Sequence, residues 1–297
     1  MIVPSALRPG DRVRVIAPSG PFDRALVLKG LGWLQERYDV VFGPGLFQRD
    51  GFLAGPDPRR LEELTDAFAD RDARAVIAAR GGYGLNRIAH RIGTECLRDA
   101  PKWVVGFSDA TALHVEMQRA GVASLHGHNV AGLGRGDDAG RSEWTRALET
   151  PHASRRFDGL EVWHAGTARG VLVGGNLTVL FTCAAAGRLA LPQDAVLFIE
   201  DVGEAPYRVD RMLTAFLASG ALDRVAGVLV GDFTDAAPGR HGVPVEAVLR
   251  ERLGELRVPV LAGFPAGHAA RNAPLHLGLA AELDGSAGAA MFGGAPD

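Results

Sequence analysis

The chain has 297 residues, of which 47% are hydrophobic and 23% charged, so it can bury a large core and is too apolar for the disordered class. Its formal net charge of −3 spreads 32 basic against 35 acidic side chains with no long run of either sign, which excludes a footprint for nucleic acid or an anionic membrane. A small-molecule partner follows from that charge pattern, and two cysteines, Cys96 and Cys183, outside any Cys-x-x-Cys pair, exclude a disulfide framework and read as core thiols.

The N-terminus lacks a basic segment followed by an apolar stretch, and no apolar run approaches the roughly 18 residues of a spanning helix. The sequence therefore predicts a cytoplasmic protein. Short apolar runs alternate with helix-period segments through the first half, the pattern of a sheet wound with helices. Val13 to Ala17 reads as the first strand, closed by Pro18-Ser19-Gly20, and Leu26, Leu28, Leu31 and Leu34 mark the helix that follows. Val40 to Phe42 is a second strand. Asp57 with Pro58 reads as an N-cap with proline in the first turn of a helix through Leu61, Leu64 and Phe68. A strand Ala75 to Ala79, a glycine-rich turn, a short helix and a strand Trp103 to Val105 come next.

Composition shifts between about Gly132 and Thr167 toward Gly, Asp, Arg and Ser, which reads as a link between domains. Beyond it lie a helix after Gly174-Gly175, a strand Ala195 to Ile199, a helix from Pro206, a strand Val225 to Val230, a helix from Pro244 and short strands near the end. Val209, Met212, Leu213, Phe216 and Leu217 give the helix after Pro206 one apolar stripe, ended by Gly220. The predicted fold class is α/β: a Rossmann-like or flavodoxin-like N-terminal domain over 1–135, a linker over 136–165, and a mixed, β-rich C-terminal domain over 166–297.

Four segments offer chemistry. Gly106-Phe107-Ser108-Asp109-Ala110 stands where a strand gives way to a helix, the arrangement of a nucleophile elbow with alanine in place of the last glycine. There Ser108 would attack a carbonyl and the Asp109 N–H would hold the oxyanion; as a bare pentapeptide it reads equally as a helix N-cap. Arg80-Gly81-Gly82-Tyr83-Gly84 follows a buried-looking strand. Its glycines let backbone approach a substrate, with Gly82 as second oxyanion donor, or simply serve a turn. Arg80 beside Gly81 offers a planar fork for a substrate carboxylate, against the alternative of a solvated arginine. Gly82, Gly84 and Arg87 miss the third glycine of a dinucleotide signature, and the turn after the first strand lacks it too, so a nucleotide cofactor is discounted and none is expected.

Glu200, Asp201 and Glu204 arrive at the end of an apolar strand. Glu200, first off the strand, is the candidate to orient a histidine, while Glu204 reads as the cap of the helix at Pro206. His268, on the loop Phe264-Pro265-Ala266-Gly267, is a candidate general base among nine histidines. His126 and His128 have a metal-ligand spacing, but no H-E-x-x-H or comparable set accompanies them, so no metal is assigned.

These segments in this order resemble the LD-carboxypeptidase family, the serine peptidases of murein tetrapeptide carboxypeptidase and microcin-immunity type. The likeness rests on Leu7 to Asp11 with Ala17 to Gly20, Ala79 to Gly84, Gly106 to His114, Gly174 to Leu177, Phe198 to Arg211 and Phe264 to His268. It implies Ser108 as nucleophile, Glu200 as orienting acid, His268 as base, oxyanion donors at Asp109 and Gly82, and a homodimer. The implied substrate is a small peptide, either a murein tetrapeptide losing its terminal D-amino acid or a peptidyl-nucleotide antibiotic; a silent muropeptide binder is the non-enzymatic alternative. Two segments depart from the family pattern: Cys183 to Arg188 replaces a Gly-Thr step and proline-rich turn, and His128 region residues Leu125 to His128 carry histidine in place of proline.

Overall fold

The computed structural model describes residues 1–293; positions 294–297, the end of the predicted C-terminal domain, lie outside the described residues. The chain divides into two compact units, one of residues 1–151 with 273–277 and one of 152–272 with the remainder. No described helix is long and apolar enough to cross a membrane.

The first unit is wound on strands β1 (Arg12–Ile16), β2 (Asp39–Phe42), β3 (Ala73–Ala78), β4 (Trp103–Gly106) and β5 (Ser124–His126), all parallel, with helices α1 (Arg24–Gln35), α2 (Asp57–Ala69), α3 (Thr94–Asp99), α4 (Thr111–Arg119), α5 (Val130–Arg135) and α6 (Asp138–Glu149). The parallel strands run in the order 2-1-3-4-5, the flavodoxin-like one of the two arrangements that the alternating pattern left open. Buried on both faces, β3 and β4 are almost wholly apolar. Helix α1 buries Val27, Gly30, Leu31 and Leu34 and leaves Leu28 exposed. An added Cβ on Gly30 would fall 2.1 Å from the Val130 carbonyl oxygen, so a glycine stands where a leucine-only stripe was expected. Pro56, one residue earlier than expected, is the N-cap of α2, and Asp57 instead pairs with Arg60 and Arg87.

Residues 136–165, polar by composition, contain α6, whose Trp144, Ala147 and Leu148 are buried, and strands β6 (Arg155–Phe157) and β7 (Glu161–His164). The second unit continues with β8 (Thr167–Asn176), α7 (Leu177–Ala185), β9 (Ala195–Val202), α8 (Pro206–Ala218), β10 (Val225–Thr234), α9 (Val245–Gly254) and β11 (Val260–Ala262). Strand β12 (Leu275–Leu277) belongs to the first unit, where it pairs antiparallel with β5, and β13 (Ala280–Asp284) and β14 (Ala289–Phe292) close the second. The second sheet runs β6-β14-β13-β8-β9-β10-β11-β7, with β8 to β11 parallel and the flanking strands antiparallel. Of the stripe predicted on α8, Val209, Met212, Leu213 and Phe216 are buried. The fold is mixed α/β, as predicted.

Candidate active site

In an open parallel sheet, loops at the carboxyl ends of the strands on either side of the order reversal form the ligand crevice. Here the reversal lies between β1 and β3, and their following loops are joined: the Gly20 N–H donates to the Gly81 carbonyl at 3.2 Å. Ser108 follows the adjacent strand β4. It opens a 3₁₀ turn leading into α4, and its φ of +63° places a non-glycine residue in the left-handed region, a conformation costing about 1–2 kcal/mol that clusters at functional sites. Neither that turn nor α4 has a side-chain cap, so Ser108 is not serving as the N-cap its position first suggests. The flanking small residues have a steric reason. A Cβ on Gly106 would lie 2.8 Å from the Ala110 Cβ, and one on Gly81 would lie 2.9 Å from the Ser108 Cβ and 3.2 Å from its Oγ.

The structure brings the glycine turn directly against Ser108. Gly82 has φ +107°, accessible to glycine, and Gly81 is buried while Gly82 is exposed. Arg80 is exposed, and its Nη1 donates to the Pro21 carbonyl at 2.6 Å, which fixes one edge of the guanidinium. Asp109 is fully buried, and its Oδ2 accepts the Leu85 N–H at 2.8 Å. Burial raises the Asp109 pKa, against the pull of the surrounding donors.

Beneath the elbow, His114 is buried, with Nε2 2.9 Å from the Gly106 carbonyl and Nδ1 2.8 Å from the Ser124 hydroxyl. Burial pushes its pKa down to about 4. The neutral ring donates from Nε2 to the carbonyl and accepts from Ser124 at Nδ1. His126 and His128 flank the Phe107 ring at centroid distances of 6.1 and 6.3 Å. Among the described residues no three His, Cys, Asp or Glu side chains gather in a way that could hold a metal ion. Cys183 is buried as expected, whereas Cys96 is only half-buried.

The second unit brings together two of the predicted residues. Glu200, on β9 and fully buried, places Oε2 2.7 Å from His268 Nδ1, and burial raises the glutamate pKa against the opposing pull of that histidine. An ionised carboxylate can only accept, so Nδ1 carries the proton and Nε2 is left with the lone pair a general base needs. Gly267, at φ +139°, makes the approach possible: a Cβ there would stand 3.1 Å from Glu200 Oε2 and 3.0 Å from the Asp232 Cβ.

Adjacent strand residues face opposite sides, which separates Glu200 from Asp201, while Glu204 lies beyond the end of β9. Asp201 accepts from Asn176 Nδ2 at 2.9 Å, from the Thr178 N–H at 2.9 Å and from the Thr178 hydroxyl at 2.8 Å, anchoring the start of α7. Glu204 does not cap α8. Ala205 holds that position without a side-chain bond, Pro206 occupies the first turn, and Glu204 pairs with Arg208 at 3.6 Å. Sequence reading missed Asp232, on β10, whose Cβ stands close to Gly267 beside Glu200 and whose pKa is raised by burial against the influence of His268. It also missed Arg60, a fully buried arginine at a helical position that looks solvent-facing in the sequence.

Two family models match in order: the LD-carboxypeptidase N-terminal domain over residues 13–127 and the LD-carboxypeptidase C-terminal domain over residues 169–283. The murein tetrapeptide carboxypeptidase of Pseudomonas aeruginosa is 32% identical over 287 residues, covering 93% of this chain and 94% of its own. Among solved structures, muramoyltetrapeptide carboxypeptidase from Oxalobacter formigenes superposes with a TM-score of 0.85 at 28% identity, covering 96% of this chain and all of its own. Microcin C7 self immunity protein MccF shares the fold with a TM-score of 0.90 at 19% identity, covering 99% of each chain. With both domains matched in order and a relative alike along nearly its whole length, this chain belongs to the LD-carboxypeptidase family of serine peptidase hydrolases.

Proposed function

We propose that this protein is a serine LD-carboxypeptidase that hydrolyses the amide before the terminal D-amino acid of a murein tetrapeptide, with Ser108, Glu200 and His268 as its triad. The observation that carries the chemistry is the buried Glu200 carboxylate on His268 Nδ1, the pairing that orients a general base. The substrate follows from the name of the Pseudomonas aeruginosa relative.

His268 Nε2 takes the Ser108 proton as Oγ attacks the carbonyl carbon, and the N–H groups of Asp109 and Gly82 receive the oxyanion. His268 then protonates the leaving amine, so D-alanine departs and the acyl group stays on Ser108. A water, deprotonated by the same imidazole, clears the acyl-enzyme and restores the serine. The guanidinium edge of Arg80 not engaged by Pro21, beside the backbone at Gly81, binds the terminal carboxylate of the substrate. This reading takes the enzyme to be a cytoplasmic homodimer of two-domain protomers, with no cofactor in the chemistry.

The test incubates wild type and Ser108→Ala with a tetrapeptide ending in meso-diaminopimelate-D-alanine, with and without EDTA, and measures D-alanine. Release by wild type alone, indifferent to EDTA, supports the proposal. Activity surviving the substitution refutes the Ser108 mechanism. Absence of release from folded wild type moves the reading to peptidyl-nucleotide antibiotics or to a silent muropeptide binder.

A further inference from the structure

We propose that Arg60 and Asp109 act together as positioning residues for the oxyanion donors, an inference that rests on the serine-hydrolase reading above. A buried cation and a buried carboxylate grip the two ends of one peptide group. The Gly84 carbonyl accepts from Arg60 Nη1 at 3.0 Å, and the N–H of the same peptide, that of Leu85, donates to Asp109 Oδ2 at 2.8 Å. Both side chains are buried, at 0% and 1% exposure, so neither bond competes with water and both constrain the peptide more than surface contacts would.

The rest of each side chain ties the grip to the sheet. Arg60 also donates from Nε to the Gly55 carbonyl at 3.1 Å and from Nη1 to Pro18, while Nη2 meets Asp57, which balances its charge. It thereby joins three loops: the one after β1, the one before α2 and the glycine turn after β3. Gly84 has φ +139°, and a Cβ there would lie 2.7 Å from Arg60 Nη1, so only glycine lets the turn come down onto the guanidinium.

Asp109 has two attachments. Its backbone follows Ser108 and supplies the first proposed oxyanion N–H, and its side chain holds the turn whose Gly82 supplies the second. The two donors are thus linked through one residue, and neither can shift alone. Oxyanion stabilisation depends on donors already aimed at the developing charge, and a displacement of about 1 Å costs on the order of 100-fold in rate.

The test measures kcat and KM for D-alanine release by wild type, Asp109→Asn, Arg60→Lys and the double variant, each well below its own unfolding midpoint. We expect each single variant to lower kcat about 10- to 100-fold with KM within about threefold, because substrate binding does not use the oxyanion donors. The double variant should be no more than about threefold slower than the worse single one, since both act through one peptide. Unchanged kcat in a folded variant, a loss confined to KM, or multiplying losses would overturn the inference, as would failure of both single variants to fold, which would make the network purely structural. Wild type and Ser108→Ala run alongside: an inactive wild type removes the serine-hydrolase reading itself and the inference with it.

Discussion

Glu200 Oε2 and His268 Nδ1 stand 2.7 Å apart, with the carboxylate fully buried and the imidazole still partly open to solvent. That asymmetry suits a base whose rear nitrogen is fixed and whose front nitrogen meets substrate. Glu200→Gln keeps the shape but offers an N–H that can hold the wrong tautomer. We expect kcat for D-alanine release to fall by roughly 100- to 10,000-fold with KM little changed. Steady-state kinetics on the folded variant decide it, and full retention of kcat would remove Glu200 from the triad.

Gly81 packs against Ser108, the proposed nucleophile, with no room for a side chain, since an added Cβ would fall 2.9 Å from the Ser108 Cβ. Gly81→Ala must push the serine or the turn away. The expected result is a loss of about 100-fold in kcat/KM with an unfolding midpoint near that of wild type, read by kinetics and thermal unfolding together.

Ser108 pays for its left-handed backbone with stability. Glycine adopts φ +63° without the Cβ clash, so Ser108→Gly should be more stable than Ser108→Ala by about 0.5–1 kcal/mol, both variants being expected to lack activity. Urea unfolding of the two variants measures the difference. A more stable alanine variant would show that the elbow is unstrained.

His114 couples folding to pH. Its folded pKa of about 4 lies below the 6.5 of a free histidine, so between those values the unfolded chain binds a proton that the native chain refuses. Its neutral, buried state therefore costs nothing above pH 6.5, and native stability falls as pH drops toward 4, by roughly 3 kcal/mol over the whole window. Unfolding free energies measured from pH 7 to 4.5 should decline less steeply in His114→Gln than in wild type, whatever the absolute stability of that variant.

Asp201 anchors α7 through Asn176 and Thr178. Removing the acceptor in Asp201→Ala strips Asn176 and the half-buried Thr178 of three hydrogen bonds, and we expect a loss of about 2–4 kcal/mol in unfolding free energy, with kcat falling far less than in Glu200→Gln. Chemical denaturation beside kinetics separates Asp201, which anchors α7, from its neighbour Glu200, the proposed orienting acid.

The α/β class and the identity of Ser108, Glu200 and His268 as candidates were legible because each depends on local pattern. Short apolar runs mark β3, β4 and β9, an alternating pattern marks β1, and chemistry-bearing residues stand where β3, β4 and β9 stop. Positions governed by distant partners were not legible. Leu28 fits the helical stripe but is exposed, because Gly30 and Val130 bring α1 and α5 into contact along a neighbouring line. Glu204 stands where a cap would serve, yet Pro206 starts α8 without one.

By itself the sequence determined the α/β class, the strand-to-helix elbow at Ser108 and the glycine turn beside it, since periodicity and small-residue spacing act over a few residues along the chain. Only the tertiary structure decided which carboxylate serves His268, because Glu200 and Asp201 differ by one position and a strand turns that single step into opposite faces. It alone also set Arg60 and Asp109 on either side of one peptide, 49 positions apart in the chain by their residue numbers. Burial made that choice: a charged side chain leaves water where folding supplies partners for it, and no local pattern records where such partners will come from.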